Sequence, residues 1–204
     1  MNIIIGHKMN KFFIAIFLII TFLLTGCAHK ATIDTTNIKF PNVNKINATA
    51  AYNINNDLKL MQIITGGGGG DSVSYFLYRD MEAGINTVLM SIFQQSYSIK
   101  DFKDTNSIKS KNIKYVFKPS FKSYSSSSSL VFWPPTYFRI DLNYTVYDGF
   151  DNKILFEGFV YGEGHANASF DEFSRDLMIA SRRASENLFL NFQNDVLSKF
   201  KGLK

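Results

Sequence analysis

From Tyr137 to Tyr147 the chain reads YFRIDLNYTVY, and apolar and polar residues alternate one by one. Phe138, Ile140, Leu142, Tyr144 and Val146 share one side of an extended backbone, with Arg139, Asp141, Asn143 and Thr145 on the other, because successive strand side chains point to opposite faces. This is the pattern of an antiparallel strand with one buried and one wet face. DGFDN, residues 148–152, supplies a turn, and KILFEGFVYGEG returns as the hairpin partner, weakened or bent by Gly158, Gly162 and Gly164. Two more strands are predicted, LKLMQII at 58–64 and KYVFKPSF at 114–121, where Pro119 points to an edge or a bulge.

Elsewhere the period changes to that of a helix. Met81, Ile85, Val88, Leu89, Ile92 and Phe93 recur three and four apart, which predicts a helix from an N-cap at Asp80 to about Gln95. Gly84 weakens it by about 1 kcal/mol. A longer stripe, Phe173, Leu177, Ala180, Ala184, Leu188, Phe192, Val196 and Phe200, follows a capping box formed by Ser169 and Glu172. Its small residues allow close approach to a sheet, while Asp171 with Arg175 and Arg182 with Glu186 suit a solvated face. These elements predict one α+β domain over 46–204. Its expected form is an antiparallel sheet of four to five strands with two helices, 80–95 and 170–200, packed on one face. A chain of that length buries about two thirds of its surface.

The first residues have a different pattern. Lys8 and Lys11 precede FFIAIFLIITFLL, residues 12–24, an uncharged run of 13 residues containing a single Thr. It fits the apolar region of an export signal and is short against the roughly 20 residues of a membrane-spanning helix. MNKFFIAIF is an ordinary signal opening, so Met9 is a second candidate start beside Met1. LTGC, residues 24–27, resembles the lipobox of bacterial lipoproteins, in which the cysteine is acylated and becomes the first mature residue. That resemblance implies a signal peptide over 1–26 and a lipidated Cys27 joined to the membrane by its acyl chains, each buried CH₂ contributing roughly 0.8 kcal/mol. Ala28 rather than Asp after the cysteine favours, in enteric bacteria, the outer membrane and hence a periplasm-facing domain. Residues 28–45, AHKATIDTTNIKFPNVNK, are polar, aperiodic and contain Pro41, so 27–45 reads as the anchor with a flexible tether. Its 18 residues after Cys27 would span roughly 25 Å.

Composition narrows the chemistry. Cys27 is the only cysteine, which excludes an intrachain disulfide and a thiolate metal cluster. Removing Lys8 and Lys11 from the 22 basic residues leaves 20 against 17 acidic ones, a formal +3 without long runs of one sign. Such a balance does not support nucleic-acid binding. Five glycines, Gly66, Gly67, Gly68, Gly69 and Gly70, stand where a phosphate loop could, but no Lys lies between Lys59 and Lys100. A Walker loop needs that lysine, and the dinucleotide pattern fails at Asp71, whose carboxylate would repel a pyrophosphate. The run is therefore expected to be a mobile loop, since glycine has the most backbone freedom, and no nucleotide or other cofactor is expected. Two histidines follow the lipobox, His29 and His165, without metal-ligand spacing, so no metal is expected either.

Most of the remaining functional signal lies in SYSSSSSLVFWPPTYF, residues 123–138. Val131, Phe132, Trp133, Pro134 and Pro135 follow the serine run as a candidate partner-binding tip, because apolar residues on a loop often mark a contact surface. The same residues could equally fold back as a lid on the sheet. Glu163 and His165 in GEGHA, with Asp171, are the acid and base a hydrolase would use, yet no G-x-S-x-G elbow supplies a nucleophile.

The lipobox, GGDSVSY, the SSSSS run with WPPT, GEGHA and RASE together resemble a family of bacterial lipoproteins of unknown function. The likeness spans most of the mature chain and brings no catalytic residues with it. The order of elements is also similar to small periplasmic α+β lipoproteins, among them penicillin-binding-protein activators and auxiliary lipoproteins of transport systems. The expected function is a non-enzymatic, membrane-anchored accessory module that binds an envelope protein. The alternatives are a periplasmic hydrolase acting on peptidoglycan or lipid, and a structural lipoprotein of a surface appendage or secretion machine.

Overall fold

The computed structural model describes residues 28–68, 71–102, 104–127, 136–167 and 173–202. Along the chain they form β1 (Ala28–Lys30), β2 (Ile46–Asn53), α1 (Asn56–Leu60), β3 (Ile63–Gly68), β4 (Asp71–Tyr75), α2 (Leu77–Ile92) and β5 (Phe93–Ile99). There follow α3 (Thr105–Ser110), β6 (Ile113–Ser126), β7 (Tyr137–Asp148), β8 (Ile154–His165) and α4 (Phe173–Gly202). The export signal, Cys27 and the capping box lie outside the described residues. No helix among them is long and apolar enough to cross a membrane.

The α+β class holds, but the sheet is mixed. Its strand order is β5-β2-β6-β7-β8, and β2 runs parallel to both β5 and β6 while β6-β7-β8 is an antiparallel meander. Parallel pairing needs a crossover, which α2 provides between β2 and β5. β2 shows no period in the sequence because its apolar residues are mostly small. Ala50 and Ala51 are fully buried on opposite faces of this interior strand, so no alternation is visible. A second sheet, β1-β4-β3, lies beside the outer half of β6.

One face of the large sheet carries both long helices. The predicted stripe of α2, from Met81 to Ile92, is buried, as is that of α4 from Leu177 to Phe200. They meet where a Cβ on Gly84 would overlap the Phe189 ring, so this glycine seats a neighbouring helix. β7 turns Phe138, Ile140, Leu142, Tyr144 and Val146 into that core, as its alternation requires. Tyr144 stacks on Phe117, meets Phe156 and Phe192 edge-on, and donates from its partly buried hydroxyl to Asp195 Oδ2 at 2.5 Å. The opposite face has a smaller core, Ala51, Ile99, Ile108, Ile113 and Val116, with Ile108 supplied by α3.

The glycines of β8 have a packing role. Gly162 and Gly164 face α4, and a Cβ on either would overlap the helix backbone at Ala180, Ala184 or Leu188. Helix and strand therefore approach at backbone contact. From this close position α4 also covers the open side of the edge strand. Arg183 Nη1, Asn187 Nδ2 and Asn191 Nδ2 donate to the carbonyl oxygens of His165, Glu163 and Tyr161 at 2.6, 2.7 and 2.9 Å. One helical step of four residues rises about 6 Å and two strand residues about 6.6 Å, so the two ladders stay in step.

Several boundaries move for identifiable reasons. Asp80 is not an N-cap; α2 begins at Leu77, after Phe76. The buried Asp80 carboxylate instead accepts from the backbone N–H of Ile33 at 3.1 Å, and its carbonyl accepts from Thr35 Oγ1 at 2.9 Å. Residues 28–45 are thus not a free tether: β1 pairs with β4, Ile33, Thr35 and Ile38 are buried, and Gln193 binds the Pro41 carbonyl. Too few apolar residues mark this docking for a periodicity to show. The predicted strand 58–64 begins only at Ile63, after the short α1. Pro119 sits in β6 just beyond the last residue paired with β2, where its missing N–H leaves no ladder bond unmade.

Candidate functional site

β6, β7 and β8 turn a second face away from α2 and α4, and their register arranges it in rows. Tyr124, Arg139 and Glu163 lie side by side, with Lys122, Asp141 and Tyr161 in the next row inward and Ser126, Tyr137 and His165 in the next row outward. Alternation along each strand puts these residues outside, since their neighbours are committed to the core. The sheet beneath is hydrogen-bonded on both sides of β7, so the face is a rigid platform.

Arg139 is its hub. Its Nε donates to Asp141 Oδ1 at 2.7 Å and its Nη1 to Glu163 Oε1 at 3.1 Å. The guanidinium also lies 4.4 Å from the Tyr161 ring centroid, a cation–π distance. Bonding to Asp141 holds Arg139 above its ordinary pKa, so it remains a fixed cation. Tyr137 donates to Glu163 Oε1 at 3.0 Å; burial first, then that bond and the Glu163 charge, pushes its hydroxyl pKa up. Around the hub, Tyr124, Phe159 and Tyr161 remain 49%, 51% and 45% exposed, with the Phe159 and Tyr161 rings tilted against each other at 6.3 Å. A shallow depression of about 310 Å³, lined by Lys118, Asn143, Thr145 and Glu157 among others, continues the same face.

The residues named from sequence fall into different places. Glu163 and His165 do come together on the outer face of β8, but Glu163 is engaged by Arg139 and Tyr137, and the His165 ring lies 5.0 Å from that of Tyr137 on an exposed surface. Asp171, Cys27, Val131, Phe132, Trp133, Pro134 and Pro135 are outside the described residues. Gly66, Gly67 and Gly68 belong to β3, where Gly66 pairs with Ser72 and Gly68 with Asp71, so this part of the run is strand and not loop. Gly69 and Gly70 are outside the described residues. Among the described residues no group of three or more His, Cys, Asp or Glu could hold a metal ion. Arg182 and Glu186 form the expected surface pair at 3.0 Å. The Arg139 hub was missed because alternation reveals which residues share a face, whereas their lateral register depends on how the 148–152 turn closes.

A row of residues crosses one end of the molecule. Ala28 pairs with Ser72, Ser72 with Gly66, Ser125 with Phe138 and Phe138 with Gly164. The two sheets are joined in this row by Ser125 Oγ, which is 2.6 Å from the Gly66 carbonyl oxygen and 2.7 Å from Thr65 Oγ1. Ser127 and Thr136, the described residues flanking the 131–135 segment, are at this same end.

The fold is shared with a DUF330-family protein of Xanthomonas campestris. The match has a TM-score of 0.53 at 9% identity and covers 87% of this chain and 98% of that one. A candidate lipoprotein of Caulobacter crescentus matches with a TM-score of 0.42 at 11% identity, over 76% of this chain and 92% of its own. A hypothetical protein of Chlamydia trachomatis gives 0.43 at 10% identity, over 77% and 97%. No family model matches the sequence. No curated protein matches it either.

Proposed function

We propose that the protein is a lipid-anchored accessory lipoprotein of the bacterial envelope that binds an envelope protein through the outer face of β6-β7-β8. The observation that carries this reading is the Arg139 hub: a pre-ordered arginine among three half-exposed aromatic side chains on a rigid sheet. Arginine and aromatic residues carry most of the energy in protein interfaces, and fixing them beforehand lowers the entropy lost on binding. The LTGC lipobox supplies the anchor at Cys27, with the outer membrane facing the periplasm as its address. Val131, Phe132, Trp133, Pro134 and Pro135 stay the candidate partner-binding tip read from the sequence.

The role is non-enzymatic in this proposal. Glu163 is held by an arginine and a tyrosine on an open face, an arrangement suited to recognition more than to proton transfer. In-cell photocrosslinking from position 161 in the acylated protein tests the reading, with Arg139→Ala and Cys27→Ala as controls. A discrete protein adduct that weakens in both controls is the expected result. Normal folding and acylation with no adduct from position 161 or 124 would overturn it.

A further inference from the structure

We infer that the end of the fold at which β1 begins is held against a lipid bilayer, in an orientation fixed by β1 itself. The inference rests on the lipid-anchor reading of Cys27. A trans peptide places the Cα of residue 27 about 3.8 Å from that of Ala28. Ala28 is already inside β1, paired in register with Ser72 of β4. Where a free tether would have given roughly 25 Å of slack, the acylated residue is one peptide bond from the folded domain.

The anchor therefore constrains a whole edge of the protein. Ala28, Ser72, Gly66, Ser125, Phe138 and Gly164 lie on six laterally adjacent strands. At about 4.8 Å per strand this rim is roughly 25 Å wide, and one of its ends is tied to the acyl chains. β1 cannot swing away alone, because Ala31 N–H donates to Ser74, and Ile33 and Thr35 are bonded to Asp80 of α2. The rim chemistry suits a headgroup layer: Ser126 and His165 are exposed there with the half-buried Tyr137 between them, and tyrosine favours the membrane–water boundary. Among the described rim residues Asp71 is acidic, and Glu163 lies a row further in, already engaged by Arg139. A rim bound to lipid leaves the Arg139 face standing upright from the membrane, open to a neighbouring envelope protein.

A labelling experiment on the acylated full chain decides this. Cys27 is the only cysteine, so once it is acylated an introduced thiol is the sole labelling site. Ser126→Cys places a fluorophore on the rim, and Lys109→Cys places one on α3, beside the start of β6; both positions are exposed. β6 separates them by roughly 40 Å. In phosphatidylethanolamine–phosphatidylglycerol vesicles bearing a headgroup nitroxide, the label at 126 is expected to be quenched and that at 109 unaffected. An inserted Gly/Ser linker of about ten residues between Cys27 and Ala28, adding roughly 17 Å, is expected to abolish the quenching at 126. Equal quenching at both positions, or quenching at 126 that survives the linker, overturns the fixed orientation while leaving the lipoprotein reading intact. A mass spectrum without acyl chains on Cys27 overturns the anchor and the orientation together.

Discussion

The Asn187 side-chain amide donates to the backbone oxygen of Glu163 at 2.7 Å, joining α4 to the open side of the β8 edge strand. With Arg183 and Asn191 it satisfies three carbonyls that would otherwise offer pairing to another chain. An Asn187→Ala, Asn191→Ala double variant should lose about 1 kcal/mol of stability per bond and acquire concentration-dependent self-association. Urea denaturation and sedimentation velocity measure the two effects. A double variant as stable as the parent and no more self-associated would show that the ladder guards nothing.

Backbone contact between α4 and β8 predicts an unusual sensitivity to a single methyl group. Gly162→Ala and Gly164→Ala each place a Cβ into the helix main chain, which cannot shift as a side chain can. A loss of about 2–3 kcal/mol is expected for each, at the upper end of overpacking costs. Gly202→Ala, with open space around its Cβ, is the control and should be close to neutral. Chemical denaturation of the three variants compares them directly, and equal midpoints would refute the close approach.

These glycines show how far the sequence could be read. The small residues at Ala180 and Ala184 announced a close approach to a sheet, and the β8 glycines were visible, but their use as the other half of that contact required the β7–β8 register. The same holds at the site. Alternation placed Arg139 on the wet face of β7, while Glu163 and Tyr161 come beside it only through cross-strand pairing. The parallel strand β2 and the docked 28–38 segment were illegible for another reason. Their burial is achieved by Ala50, Ala51, Ile33, Thr35 and Ile38, too small or too widely spaced to give a period.

Tyr144 tests the aromatic core together with its one polar tie to α4. Its hydroxyl pKa is pushed up by burial and then by the Asp195 carboxylate that accepts its proton. Tyr144→Phe leaves that carboxylate without its phenol donor in a partly buried setting, a change expected to cost about 1–3 kcal/mol. Adding Asp195→Ala to Tyr144→Phe should recover part of the loss, since no carboxylate is then left without its donor. A double-mutant cycle in urea gives the coupling, and strict additivity would argue that the 2.5 Å contact contributes little.

At alkaline pH the buried tyrosines should govern stability. Burial, and next the charge of Glu82, raise Tyr52 to about 12 from an ordinary value of 10.0. The fold thus favours the neutral phenol, and the unfolded chain ionises first as pH rises. The stability from a neutral Tyr52 is fully present below about pH 10, falls above it, and is lost as pH passes the folded value near 12. At about 1.4 kcal/mol per pH unit, this one group removes about 3 kcal/mol over that window. Tyr75 and Tyr144 shift in the same direction, so the total decline should be steeper than one group produces. Urea midpoints between about pH 8 and pH 11 should fall for the parent and fall less for Tyr52→Phe, which has no proton to lose. Identical slopes would show that Tyr52 ionises as freely in the fold as in the unfolded chain.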